Sequence, residues 1–212
     1  MSLPESPAAA TRQRILHAAE QLFRSRGPAS TSLRSITTAA GVNVAAVHYH
    51  FGGREALARE VFARSVAPVN AERLRRLDAL EAAPSRPPVE SLIRALVEPV
   101  FDEARRDTSL RELSTVLIAE SEESGRALVE ELFGEVLRRF RTALERALPA
   151  LTPDEVTDRL VFAVGSFSQV LAGRHPDRPD GTRIAPDPLT CERLITFLAA
   201  GLCAPPASTE PS

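Results

Sequence analysis

The stretch VAAVHYHF, Val44 to Phe51, gathers the densest recognition chemistry in the chain. His48 and His50 flank the single tyrosine, Tyr49, and imidazole and phenol tips suit contacts to phosphates and base edges. Val44, Ala45 and Ala46 are small, so the backbone carrying them can come close to a partner. Asn43, just before them, is a plausible helix N-cap. The two imidazoles stand at i and i+2 and point apart, which makes them a poor metal pair. No metal site is expected, and no catalytic residue either. Residues 60 to 185 hold no HExxH, GxSxG, phosphate loop or glycine-rich dinucleotide fingerprint.

Two short helices would have to position these groups. Leu33, Ile36, Thr37 and Ala40 recur at i, i+3, i+4, i+7, one face of a helix. Gly41 then ends it, because the left-handed C′ position costs glycine nothing. Val47 and Phe51 give the second helix a single buried stripe, and Gly52-Gly53 breaks it. A helix with so small a buried stripe has most of its surface free for a partner. The layout is that of a helix-turn-helix whose second helix enters the major groove. Ahead of it, Thr11 to Arg26 carries Ile15, Ala18, Ala19, Leu22 and Phe23 on one face, ended by Gly27-Pro28. Residues 1–10 are read as a flexible arm, and Ser30-Thr31-Ser32 as a polar link.

The resemblance goes further than the bare motif. ILHAAEQLF, then a Ser/Thr-rich loop after a glycine, then LRSITTAAGV, then VHYHFGGREAL, together resemble the N-terminal domain of the TetR family of transcriptional regulators. The stretch spans residues 11–60, about a quarter of the chain. Where many members have Leu-Tyr before the second aromatic, this chain has Val47-His48, so base readout there is expected to differ. Carried over position by position, Arg34 is a base or phosphate contact at the groove edge. Val44 and Ala45 approach base edges, where contact with a thymine methyl is open to them. Tyr49 and His50 match phosphate contacts, and Arg54 adds charge and helix-dipole attraction for a phosphate. Asn43, Ala46 and His48 complete the expected DNA-facing set.

At 212 residues with 43% apolar content, the chain can hold one small and one medium domain. Net charge is −2, yet its distribution favours a nucleic-acid partner at one end. Residues 1–60 hold seven Arg against four Glu, and residues 61–212 hold 19 Arg against 24 acids. All 26 basic residues are arginine. Cys191 and Cys203 show no CxxC spacing, so neither a disulfide framework nor a zinc site is indicated. No apolar run reaches the ~18 residues of a membrane span, and the expectation is a cytoplasmic protein without membrane attachment.

The remainder, residues 54–204, reads as a larger helical body, followed by a disordered tail at 205–212. Arg54 to about Leu80 is a long helix. Val89 to Arg106 is another, with Pro99 inside it, and a further helix is expected from Asp107 to about Ala119. Ser124–Leu148 has the cleanest periodicity. Thr152-Pro153-Asp154-Glu155 is a capping box opening a helix to about Gly173, and Asp187-Pro188 opens the last helix. The last two long helices are apolar on more than one side and must be covered on several. One side is assigned to a second copy of the chain, through Gly165, Leu171, Leu194 and Leu198. TetR-like regulators likewise pair through their last two large helices. Phe101, Leu117, Phe133, Phe140, Phe162 and Phe167 could line an apolar cavity between helices, and the family's C-terminal domains bind small effectors that release DNA. Residues 89–175 also resemble a fatty-acid-responsive subgroup.

The fold expected is therefore all-α, an N-terminal three-helix helix-turn-helix domain followed by a larger ligand-binding and dimerisation domain. The expected function is a homodimeric repressor without cofactor, released from a palindromic double-stranded DNA operator by a small apolar effector. A constitutive or architectural DNA-binding protein without effector stands as the alternative.

Overall fold

The computed structural model describes residues 6–28, 30–106, 122–173 and 187–206. Among them lie α1 (Pro7–Arg26), α2 (Leu33–Ala40), α3 (Val44–Phe51), α4 (Arg54–Glu81), α5 (Val89–Arg106), α6 (Glu122–Ala147), α7 (Pro153–Ala172) and α8 (Pro188–Leu202). No strand occurs among the described residues. Helix starts follow side-chain caps. The Glu155 amide donates to Thr152 Oγ1 at 3.3 Å while Glu155 Oε2 accepts from the Thr152 amide at 2.9 Å, closing the capping box. Asp187 Oδ1 caps α8 through the Thr190 amide at 2.8 Å. The same device corrects the expected arm. Ser6 Oγ accepts from the Ala9 amide with Pro7 in the first turn, so α1 begins at Pro7 and residues 7–10 are helical.

Two apolar clusters result. The first joins Ile15, Leu16, Ala19 and Phe23 of α1, Ile36 and Ala40 of α2, and Val47 of α3 to Leu57 and Val61 of α4. The second joins Phe62, Val66, Val69 and Leu77 of α4 to the inward sides of α5, α6, α7 and α8. α4 belongs to both, and the Phe23 and Phe62 rings approach to 6.2 Å where the clusters meet. The core of the N-terminal unit thus extends two turns past the boundary expected at residue 53. α4 continues through Pro68, which is exposed, and α5 through Pro99, which is buried. Arg64 Nη1 and Nη2 bond Glu20 and Gln13, which fastens the lower part of α4 to α1.

Several expectations for the body need correction. Phe101, Phe140 and Phe167 are buried in the second cluster, with Phe133 packed half-buried against it. Phe162, expected beside them, is 68% exposed. Leu171, Leu194 and Leu198, expected to face a second copy, are buried in the chain's own core. The inward stripe of α7 is Val156, Leu160, Ala163, Phe167 and Leu171, so Phe162 and Gly165 fall on the opposite side of the wheel. Leu117 and the helix expected at 107–119 lie outside the described residues. Past α8 the chain is held rather than loose, because Arg159 donates to the carbonyls of Leu202, Ala204 and Pro205 at 2.8, 2.6 and 2.9 Å. Residues 207–212 of the expected tail lie outside the described residues.

Candidate nucleic-acid interface

The turn between α2 and α3 is built from local chemistry. Ser32 Oγ caps α2 by accepting from the Ser35 amide at 3.1 Å. At the other end Gly41 is left-handed (φ 62°), and the amides of Gly41 and Val42 return to the Thr38 and Thr37 carbonyls. That double return closes a Schellman motif and turns the chain sharply. Asn43 Oδ1 then accepts from the Ala46 amide at 2.9 Å and starts α3. Its side chain is thereby a cap as well as a surface group.

α3 buries little. Val47 is its one fully buried residue, and Phe51 is half-buried with the Arg12 guanidinium 4.9 Å above its ring. Val44, Ala45, His48 and Tyr49 are exposed along one side of the helix, and Tyr49 is 82% exposed. Ala46 and His50 are half-buried at the edge of this face, where the His50 ring meets Tyr49 edge-on at 4.9 Å. The four small or polar-tipped residues predicted to read base edges and phosphates therefore do share one free surface. Gly52 (φ 81°) and Gly53 (φ 152°) carry the chain from α3 to α4 through conformations L-residues rarely adopt.

Arg54 is exposed, as its expected role requires, and its guanidinium also has partners within the chain. Its Nη2 donates to the Pro28 carbonyl at 2.6 Å, and both Nε and Nη2 reach the Thr31 carbonyl at 3.3 Å. The guanidinium braces the start of α4 against the α1–α2 loop. Arg34 is exposed as well and borders a groove of about 480 Å³ with Leu22, Arg26, Ser32, Ser35 and Thr38. Arg26, Ser35 and Thr38 escaped the sequence reading. The i, i+4 pair Arg34 and Thr38, on the side of α2 away from Ile36, was the signal that could have found them.

Residues 15–61 match the family described as bacterial regulatory proteins, tetR family. Residues 94–201, half of the chain, match the tetracyclin repressor-like C-terminal domain. The HTH-type transcriptional regulator AcrR of Shigella flexneri is 35% identical over 96 residues, 45% of either chain, so the match spans less than half of that relative's length. The fatty acid degradation regulator FadR from Bacillus halodurans superposes with a TM-score of 0.66 at 16% identity, covering 94% of this chain and 98% of that one. FadR from Bacillus subtilis, solved in complex with stearoyl-CoA, superposes with a TM-score of 0.66 at 13% identity, covering 89% and 98%. These two likenesses establish a shared fold. With one family description on the N-terminal unit and the other on the body, the chain belongs to the TetR family of bacterial transcriptional regulators.

Proposed function

We propose that this regulator is a homodimeric repressor that leaves a palindromic operator when a small apolar effector binds its body. The observation that carries the reading is α4, one continuous helix whose first turns lie in the cluster under α3 and whose later turns lie in the cluster of the body. A molecule wedged among α5 to α7 displaces the later turns, and the first turns take α3 with them. The effector needs only a higher affinity for the arrangement that fits DNA poorly. A typical coupling of 1–3 kcal/mol weakens operator binding about 5–150-fold, and operator DNA weakens effector binding by the same factor. The apolar composition of the second cluster supports a lipophilic effector. The stearoyl-CoA bound by the Bacillus subtilis structure supports an acyl chain as its shape.

Support for the dimer comes from Val161, Phe162, Leu189 and Phe197, four large apolar side chains exposed on the outward face of α7 and α8. Gly165, with nothing within 4 Å of an added Cβ, lies on that face. Val161, Leu189 and Phe197 take the place of Leu171, Leu194 and Leu198 in this role. Two copies joined there would present two α3 helices to half-sites about one helical turn, ~34 Å, or a somewhat larger spacing apart. The test is calorimetric titration of a lipophilic panel into the protein with and without operator DNA. Weaker binding of one member in the presence of DNA is expected. Equal affinity in both titrations for every member that binds would overturn the effector reading and leave a constitutive DNA binder.

A further inference from the structure

α4 turns one charged residue into the core of the body. Arg73 stands between Val69 and Leu77 on the inward stripe and is 2% exposed. Its Nε donates to the Leu96 carbonyl at 2.8 Å, and its Nη1 to Asn70 Oδ1 at 3.1 Å. Asn70 in turn donates to the Leu132 carbonyl at 2.7 Å. The Phe167 ring lies 5.8 Å from the guanidinium carbon. Every one of these partners is neutral. A guanidinium has five N–H donors, and among the described residues the two bonds leave most of them unused. Burial pushes Arg73 down to about 10, which leaves it cationic at neutral pH.

A structural task alone does not account for a cation here. Pro99 has no N–H to offer the Ala95 carbonyl and disturbs that turn of α5, so a donor aimed at the neighbouring Leu96 carbonyl is useful. A neutral glutamine would serve as that donor without a buried charge. Arginines are almost never fully buried unless paired, and among the described residues no carboxylate pairs with this one.

We infer that Arg73 receives the anionic end of the effector, which makes the effector an apolar acid. A carboxylate offers two coplanar acceptors matched to the guanidinium fork, and Phe101, Phe140 and Phe167 of the same cluster suit a hydrocarbon chain. The inference rests on the effector reading above and adds the chemistry of the ligand's head. Because Asn70 and Arg73 are both on α4, the acid is sensed on the helix that carries the DNA-reading end.

The experiment titrates matched acids and alcohols into the intact dimer: dodecanoate and dodecanol, hexadecanoate and hexadecanol, phenylbutyrate and phenylbutanol. Wild-type protein is expected to bind at least one acid about tenfold or more tighter than its alcohol, as befits one charge-assisted, bidentate contact. Arg73→Met and Arg73→Gln are expected to bring the acid down to the alcohol while leaving the alcohol's affinity in place. Circular dichroism and operator binding check that both variants are folded, and the wild-type comparison stands without them. Acids and alcohols binding wild type equally would overturn the inference and spare the effector reading. So would an acid preference that survives in both variants. If no member of any pair binds, effector reading and inference fall together.

Discussion

Two faces of this chain leave apolar groups uncovered, and they differ in kind. On α3 the exposed residues are small or polar-tipped: Val44, Ala45, His48 and Tyr49. On α7 and α8 the exposed apolar residues are large, Val161, Phe162, Leu189 and Phe197, and stand among polar ones such as Asp158 and Thr196. Tyr49 and Phe162 are both well exposed aromatics, at 82% and 68%. Only Tyr49 has a hydroxyl that water can satisfy. A phenol on a narrow helix suits a hydrated, charged partner approached closely. A phenylalanine among other apolar side chains suits a dry partner with an equally apolar surface. The chemistry of the exposed tips thus distinguishes the class of partner that each face would suit.

The largest expected effect comes from charging the apolar face. Phe162→Arg should lose about 2–4 kcal/mol at each of its two appearances in a twofold interface, weakening association at least about a thousandfold. Sedimentation velocity at micromolar concentration should then show monomer. A variant that remains dimeric would break the contrast between the two faces. Gly165→Leu should act in the same direction with a smaller effect, about 1–3 kcal/mol per copy from overpacking, read by the same measurement.

On the polar face, charge and bracing are separable. Arg34→Ala should lower the slope of log affinity against log salt by about 0.9 per subunit, because a phosphate contact there would release condensed counterions. Arg54→Ala should leave that slope unchanged. Its loss of partly solvated bonds to the Pro28 and Thr31 carbonyls costs about 1 kcal/mol, weakening all DNA sequences alike and lowering the melting temperature of the N-terminal unit. A reduced salt slope for Arg54→Ala would restore it to the phosphate-contacting set.

The smallest effect is acid sensitivity. Hydrogen bonds from Arg75 and Arg76 hold the Glu72 carboxyl at about 2, against an ordinary 4.5. The folded value lies below the unfolded one, so the stabilisation is full above about pH 4.5 and fades as pH falls towards 2. The group is solvent-exposed, so the change is a slight fall in melting temperature across that window. Glu72→Gln should flatten it, and an identical pH profile in both proteins would remove the assignment.

Much of this was legible because caps and periods are local. Val89–Arg106 and the Thr152 box could be read from single turns of sequence, and so could Asn43 ahead of α3. Ser6-Pro7 was equally readable, but the alanines behind it show no apolar period and hid the first turn of α1. The orientation of α7 was not legible. Leu160, Val161, Phe162, Ala163 and Val164 are apolar in succession, so the sequence allows several rotations about the axis, and only packing on the other helices of the body selects one. Arg54 and Arg73 were hidden for a related reason. A sequence displays their charge, whereas their roles depend on the carbonyls of Thr31 and Leu96, which come near only through the fold.

Pro68 gives α4 a mechanical property of its own. It has no N–H for the Arg64 carbonyl, so one rung of the helix is absent at a known height. Below that height Arg64 is bolted to α1, and above it Asn70 and Arg73 are bolted to α6 and α5. Stiffness is thus high on either side and lowest in between. From Pro68 down to Arg54 the shaft is about 21 Å long at ~1.5 Å per residue. A bend of about 5° at the missing rung swings its lower end by about 2 Å. In a symmetric pair both shafts swing, so the distance between the two DNA-reading ends changes by up to twice that, while neither half has to deform internally.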